Sequence, residues 1–262
     1  MGRNSGEGYD RVETDDFLLT TTEKEMISNA TNAFHQAGKP VVVVLNIGGV
    51  IETASWNDQP DAILLAWQGG QEGGNSVADI LSGKTNPSGK LPMTFPIRLE
   101  DHASNANFVR NKDYTNYEEG VYVGYRHFDK AGLQVAYPFG YGLTYTSFGY
   151  DSAEIYLADD SIHVSILVTN TGETSGKEVV QIYASKPNSN IDRPQQELKA
   201  FGKTRLLNPG ESATLEFTIP VSELRYWDEV TSGWKLENGT YAIRIGSSSR
   251  DIRQESQIDI SI

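Results

Sequence analysis

Hydrophobic and polar residues follow two different patterns along the chain. In the front half, Met26, Ile27, Ala30, Ala33, Phe34 and Ala37 recur at helical spacing. They follow Thr22-Glu23-Lys24-Glu25, which has the form of a capping box, and Gly38 and Pro40 stop the helix. Val41 to Ile47 is then apolar without alternation and bounded by glycine and proline. Such a run predicts a strand covered on both faces, as in a parallel sheet. Gly48-Gly49 turns the chain, and Ile51 to Trp56 predicts a short helix. Asp61 to Trp67 predicts a second buried strand, and Gly69 to Gly74 leads into a helix through Val77, Ala78, Ile80 and Leu81. Helix, strand, helix, strand and helix in succession predict an α/β domain.

The texture changes after Asn86. Leu91 to Pro96 is proline-spaced and extended, and Glu100 to Asn116 is polar and reads as a long loop. Tyr117 to Asp129 and Tyr137 to Tyr145, rich in aromatics and glycine, predict irregular strands and turns that close this domain. Past Phe148 a period of two takes over, as in Ile162, Val164, Ile166 and Val168. It continues through Val180, Ile182, Leu215, Phe217, Ile219, Tyr241, Ile243 and Ile245. Asn170-Thr171-Gly172, Asn208-Pro209-Gly210 and Asn238-Gly239 supply turns between these runs. Short alternating strands with regular turns predict an antiparallel β-sandwich of the immunoglobulin-like class. The expected domains are an α/β domain over residues 1–147, with a mostly parallel sheet, and an all-β sandwich over 148–262.

Composition narrows the function. The 262 residues carry a net charge of −13, which argues against nucleic acid and anionic membrane surfaces as partners. The chain contains no cysteine, which excludes disulfides, thiolate catalysis and cysteine metal sites. No apolar run reaches membrane-spanning length. A glycine-rich loop stands at the very front, where a domain seldom begins, so the first domain is expected to be incomplete at its N-terminus. Compartment is left open by the sequence.

That front loop, Gly2 to Arg11, presents Glu7 between Gly6 and Gly8, with Arg3, Asp10 and Arg11 nearby. An uncrowded carboxylate on a loop suits proton transfer, and the same residue types suit an ordinary surface turn. Gly69 to Gly74 lacks both the dinucleotide spacing and a Walker lysine, so it reads as a turn. Gly83-Lys84-Thr85 has Ala78 where the required upstream glycine would stand. His35, His102, His127 and His163 are scattered without metal-ligand spacing, and neither a metal nor a cofactor is expected. Ser5 is not in a nucleophile elbow. Asn29-Ala30-Thr31 and Asn238-Gly239-Thr240 match the glycosylation triplet, as chance matches also do. Tyr117, Tyr122, Tyr125, Phe128, Tyr137, Phe139, Tyr141 and Tyr145 can stack on sugars or pack the domain junction.

Taken together, several segments resemble the C-terminal portion of glycoside hydrolase family 3, the β-glucosidase and β-xylosidase family. They are Ser5 to Arg11, Val42 to Asn46, Ala66 to Gly74, Asp79 to Pro92, Tyr122 to Arg126 and Tyr137 to Tyr145. The last third, with Val168 to Gly172 and Leu198 to Phe201, resembles the fibronectin type III-like domain of such enzymes. The resemblance implies a β-glycoside substrate and an α/β sandwich domain whose loop carries the general acid/base, here Glu7. It places the nucleophilic aspartate on a barrel domain with no counterpart in this chain, either in the same parent chain or in a separate subunit. The chain alone is then expected to be inactive. If it proved active, Asp10, Asp15, Asp16 and Glu72 would be the carboxylates to search. The alternative reading is a non-catalytic carbohydrate-binding or interaction module.

Overall fold

A computed structural model describes residues 1–3, 12–108 and 113–261. The chain forms two compact units. The first comprises Met1–Thr85, Phe95–Asn116 and Gln134–Tyr137, and the second Asn86–Thr94, Tyr117–Leu133 and Pro138–Ile262.

In the first unit, helix α1 spans Thr21–Gln36. Its capping box is Thr20 with Glu23, two residues earlier than the sequence spacing suggests. Both pairs fit the pattern, but Glu23 is also gripped by Arg3, which fixes the first turn there. Gly38 follows the helix at φ 66°, a conformation glycine adopts without strain. Strand β1 (Val42–Leu45) pairs in parallel with β2 (Ala62–Leu65), from Val42 opposite Ala62 to Leu45 opposite Leu65. Leu19, Ile27, Val43, Leu45, Ile47, Ile51 and Trp56 form the core. Neither strand is covered on both faces as expected: burial along β1 alternates, with Val42 exposed, and β2 is only half-buried.

Residues 51–56 form turns in place of the expected short helix. The buried Glu52 carboxylate accepts from the Ser55 N–H and hydroxyl at 2.6 and 2.8 Å. Its carbonyl accepts the Trp56 indole N–H at 2.9 Å. These bonds compete with helical ones and win. Helix α2 (Gly73–Leu81) buries none of its residues, and Leu81 is exposed. Strands β3 (Phe95–Pro96) and β4 (Val135–Tyr137) form a short antiparallel pair, with Phe95 between Trp67 and Tyr137.

The second unit is a β-sandwich with straps. Tyr125–Lys130 forms a helix, α3, where irregular strands and turns were expected. Strands β5 (Phe148–Ala158), β6 (Ser161–Asn170) and β9 (Ser212–Pro220) make one sheet, in the order β5-β6-β9. The other, in the order β13-β12-β7-β8, contains β7 (Val179–Ser185), β8 (Glu197–Lys203), β12 (Gly239–Ser248) and β13 (Asp251–Ile260). A hairpin of β10 (Tyr226–Asp228) and β11 (Gly233–Lys235) stands apart from both. Burial along β6 alternates residue by residue, as its sequence predicts. Ile162, Val164, Ile166 and Val168 face Val180, Ile182, Ile243 and Ile245 across one apolar core.

β7 is buried along its whole length. Its even-numbered residues enter the core. The others are covered by neighbouring segments: Gln181 donates to Gly140 O at 3.1 Å, and Tyr183 meets Tyr125 edge-on. Residues 86–92 and 138–145 interlock over this face. Leu91 N–H donates to Tyr141 O and Gly140 N–H to Leu91 O, both at 2.8 Å. A Cβ at Gly142 would overlap the Gly89 carbonyl oxygen. The Lys90 ammonium lies 3.2 Å from Glu178 Oε1, and Glu178 is 6% exposed at its side chain. Tyr150 donates its hydroxyl to the same oxygen at 2.9 Å. Burial and that carboxylate push the Tyr150 phenol up, so it stays a donor.

Removing one member of a buried ion pair strands the other charge. Lys90→Met is therefore expected to cost about 3–5 kcal/mol. Gly142→Ala, which overpacks the strap, should cost about 1–3 kcal/mol. Urea unfolding midpoints of the two variants check both values.

Candidate functional site

The first unit gathers its loops at one edge. Gly2 pairs in parallel with Asn46, with Arg3 N–H donating to Asn46 O at 3.1 Å and Asn46 N–H to Met1 O at 2.8 Å. Met1 to Arg3 thus runs beside β1 in the same direction as β1 and β2. Three chain segments leave this arrangement at its C-terminal edge: the one after Arg3, the Gly48-Gly49 turn, and Trp67 to Glu72. In open α/β sheets ligands bind outside the carboxyl ends of the strands. Trp67 adopts φ 53°, a strained conformation for a bulky side chain. Residues that hold such strain cluster at functional sites.

Glu7 lies in the segment 4–11, outside the described residues, as do Ser5 and Asp10. The two stems of that segment are described. On the entry side, the Arg3 side chain is 8% exposed. Its Nη1 and Nη2 donate to Glu23 Oε1 and Oε2 at 2.6 and 2.8 Å, and its Nε to Asp16 O at 2.8 Å. On the return side, Phe17 N–H donates to Val12 O and Leu18 N–H to Glu13 O, closing a wide turn. Asp15 sits in that turn at φ 65°. Phe17 is buried, and its carbonyl accepts from Glu52 N–H at 2.9 Å. One guanidinium therefore ties the entry stem, the return stem and the start of α1 together.

The Arg3 hydrogen bonds, joined by the Thr20 N–H and hydroxyl, hold the Glu23 carboxyl down to about 2. Of the other carboxylates named above, Glu72 accepts from the Asn75 amide at 2.6 Å and is exposed, and Asp15 is exposed. The histidines stay apart. His35 faces Asp61 at 2.8 Å and His163 stacks on Tyr156, on different elements. Among the described residues no group of His, Asp and Glu is placed to hold a metal, and no helix is long and apolar enough to cross a membrane.

The aromatics flagged in the sequence mostly serve packing within their own units. Tyr125 stacks on Phe139 at 4.7 Å, and its hydroxyl accepts from Leu198 N–H. Lys130 sits 3.6 Å over the Tyr122 ring, and Asp192 accepts from both side chains. Phe128 is buried and Tyr137 packs on Phe95, whereas Tyr117 is exposed. The second unit holds a cavity of about 410 Å³ lined by Leu91, Pro92, Phe139, Val179, Leu198 and Phe201 among others. No carboxylate lines it, so it offers nothing for acid/base work on a glycosidic bond. Sequence reading missed the Arg3 clamp, whose partners lie 13 and 20 positions away. It also passed over Trp227 and Trp234, which flank a turn and stand opposite one another across β10 and β11.

Comparison with known proteins accounts for this architecture. Residues 1–145 match the glycosyl hydrolase family 3 C-terminal domain, and residues 178–249 a fibronectin type III-like domain. The chain belongs to glycosyl hydrolase family 3. It is 42% identical to beta-glucosidase A of Butyrivibrio fibrisolvens, over 91% of this chain and 31% of that protein. It is 38% identical to thermostable beta-glucosidase B of Acetivibrio thermocellus, over 97% of this chain and 33% of that protein. The structure of beta-glucosidase 3B from Thermotoga neapolitana in complex with α-D-glucose superposes with a TM-score of 0.95 at 45% identity. It covers all of this chain and 37% of its own. The chain spans about a third of the length of these relatives.

The folded Glu23 value of about 2 lies below the ordinary 4.5. Between those values the unfolded state binds more protons, so stability falls as pH drops through that window. Glu23→Gln is expected to remove most of this acid sensitivity and to lower stability at pH 6. Urea unfolding midpoints at pH 6, 4 and 3 for both proteins check it.

Proposed function

We propose that this chain contributes the general acid/base to a retaining β-glycosidase acting on β-glucosides, with Glu7 as that residue. The observation that carries the reading is the parallel pairing of Gly2 with Asn46, clamped by Arg3. It starts the Glu7 segment at the carboxyl edge of the sheet, where α/β folds place ligands. The family membership and the names of the relatives support the reaction type.

Retention requires two carboxyl groups about 5–5.5 Å apart. In this reading Glu7 protonates the leaving oxygen while an aspartate attacks the anomeric carbon and forms a glycosyl-enzyme. Glu7, now a carboxylate, takes a proton from the water that releases the sugar. The aspartate belongs to the barrel domain that the family resemblance implies. Glu7 must then titrate near the working pH, and an apolar wall and the nearby nucleophile would raise it there.

The test is hydrolysis of nitrophenyl β-glycosides by the chain alone and with the barrel domain of a family relative. The expected result is no turnover alone and turnover on mixing. Glu7→Gln should lower that turnover about 10²–10⁴-fold, most for poor leaving groups, with external azide restoring part of it. Turnover by the chain alone, or indifference to Glu7→Gln on mixing, would overturn the assignment.

A further inference from the structure

The hairpin of β10 and β11 carries two tryptophans on one face. Trp227 and Trp234 are direct cross-strand partners, with ring centroids 5.6 Å apart and planes at 78°. Neither is absorbed into the sandwich core: Trp227 is 51% exposed and Trp234 65%. The support beneath them is fixed. On the opposite face, Lys235 pairs with Asp228 at 2.5 Å. The Asp228 Oδ1 also accepts from Thr231 N–H at 2.9 Å and closes the turn. The edge-to-face pair thus holds each ring in place and leaves much of both surfaces open to solvent.

Two observations select the occupant. The first is size and setting. The two rings, with the exposed Val230 in the turn and the exposed Arg225 and Glu229 beside them in sequence, form a small apolar patch among charged residues. A stable protein interface needs about 1,200–2,000 Å² of total buried area, well beyond such a patch. A pyranose presents an apolar C–H face of one ring's size, edged by hydroxyls that can reach neighbouring charged groups. The second is charge. The chain carries −13, and Glu229, two positions from Trp227, is exposed, which disfavours an anionic ligand.

We infer that the Trp227–Trp234 pair is a docking platform for a neutral β-linked glucan chain. The β-linkage rests on the function proposed above, and the platform itself rests on the hairpin geometry alone. A polymer held there raises the local concentration of chain ends for the enzyme without any role in the chemistry.

The experiment is titration of this chain, with its tryptophan indoles ¹⁵N-labelled, by cello- and laminari-hexaose, with maltohexaose as the α-linked control. Four indole N–H signals are present, from Trp56, Trp67, Trp227 and Trp234. The expected result is saturable shifts of the Trp227 and Trp234 signals with at least one β-linked hexaose, and none with maltohexaose. Trp227→Ala and Trp234→Ala should each weaken binding about tenfold or more, and Trp234→Tyr less. Should the alanine variants disturb the hairpin, the shifts in the unaltered chain still decide. No saturable shift at millimolar β-glucan, equal response to maltohexaose, or shifts confined to Trp56 and Trp67 would overturn the platform. Because no turnover is read, failure here leaves the Glu7 assignment standing, and failure of Glu7 leaves the platform standing.

Discussion

A single guanidinium organises the working edge of the first unit. Arg3 is paired bidentately with Glu23 and bonded to the Asp16 carbonyl, so it joins segments that are neighbours only in space. A planar fork suits this task, because it fills both carboxylate oxygens and still has Nε for a third partner. A lysine would offer a point charge with no fixed geometry. The depressed Glu23 carboxyl is the electrostatic trace of this clamp. The residues on either side of segment 4–11 are thereby fixed to one another. Precise placement is what general acid/base catalysis requires.

The second unit solves a different problem. A sandwich normally leaves its outer faces to water, yet β7 is buried throughout. Residues 86–92 and 138–145 cover it, locked to each other by backbone hydrogen bonds and by the absence of a side chain at Gly142. Lys90 delivers a charge beneath that cover and finds Glu178 there, so the strap is held by charge as well as by shape. Such a pair contributes more to fixing one arrangement than to net stability, since desolvation offsets much of the attraction. The motif residues Asn86 to Pro92 and Pro138 to Tyr145, which carry part of the family likeness, thus have structural work in this unit.

The carboxyl edge of the small parallel sheet is where the segment after Arg3 and the Gly48-Gly49 and Trp67 to Glu72 loops begin. The tryptophan hairpin of the sandwich offers contact area through its two exposed rings.

The sequence by itself determined what depends on local period and turn chemistry. The alternation of Ile162 to Val168 set β6 and its inward face, and the unbroken run from Val41 marked the parallel strand, since side-chain spacing along one segment decides both. The motif order identified the family. Other features were settled by partners distant in sequence. The choice of Thr20 over Thr22 as helix cap turned on Arg3, and the turns at 51–56 on the Glu52 carboxylate. The burial of Gln181 and Tyr183, which alternation assigns to solvent, turned on the straps that cover them. The pairing of Trp227 with Trp234 turned on hairpin register. Each is a contact between segments, and its energy exists only once the chain has brought them together.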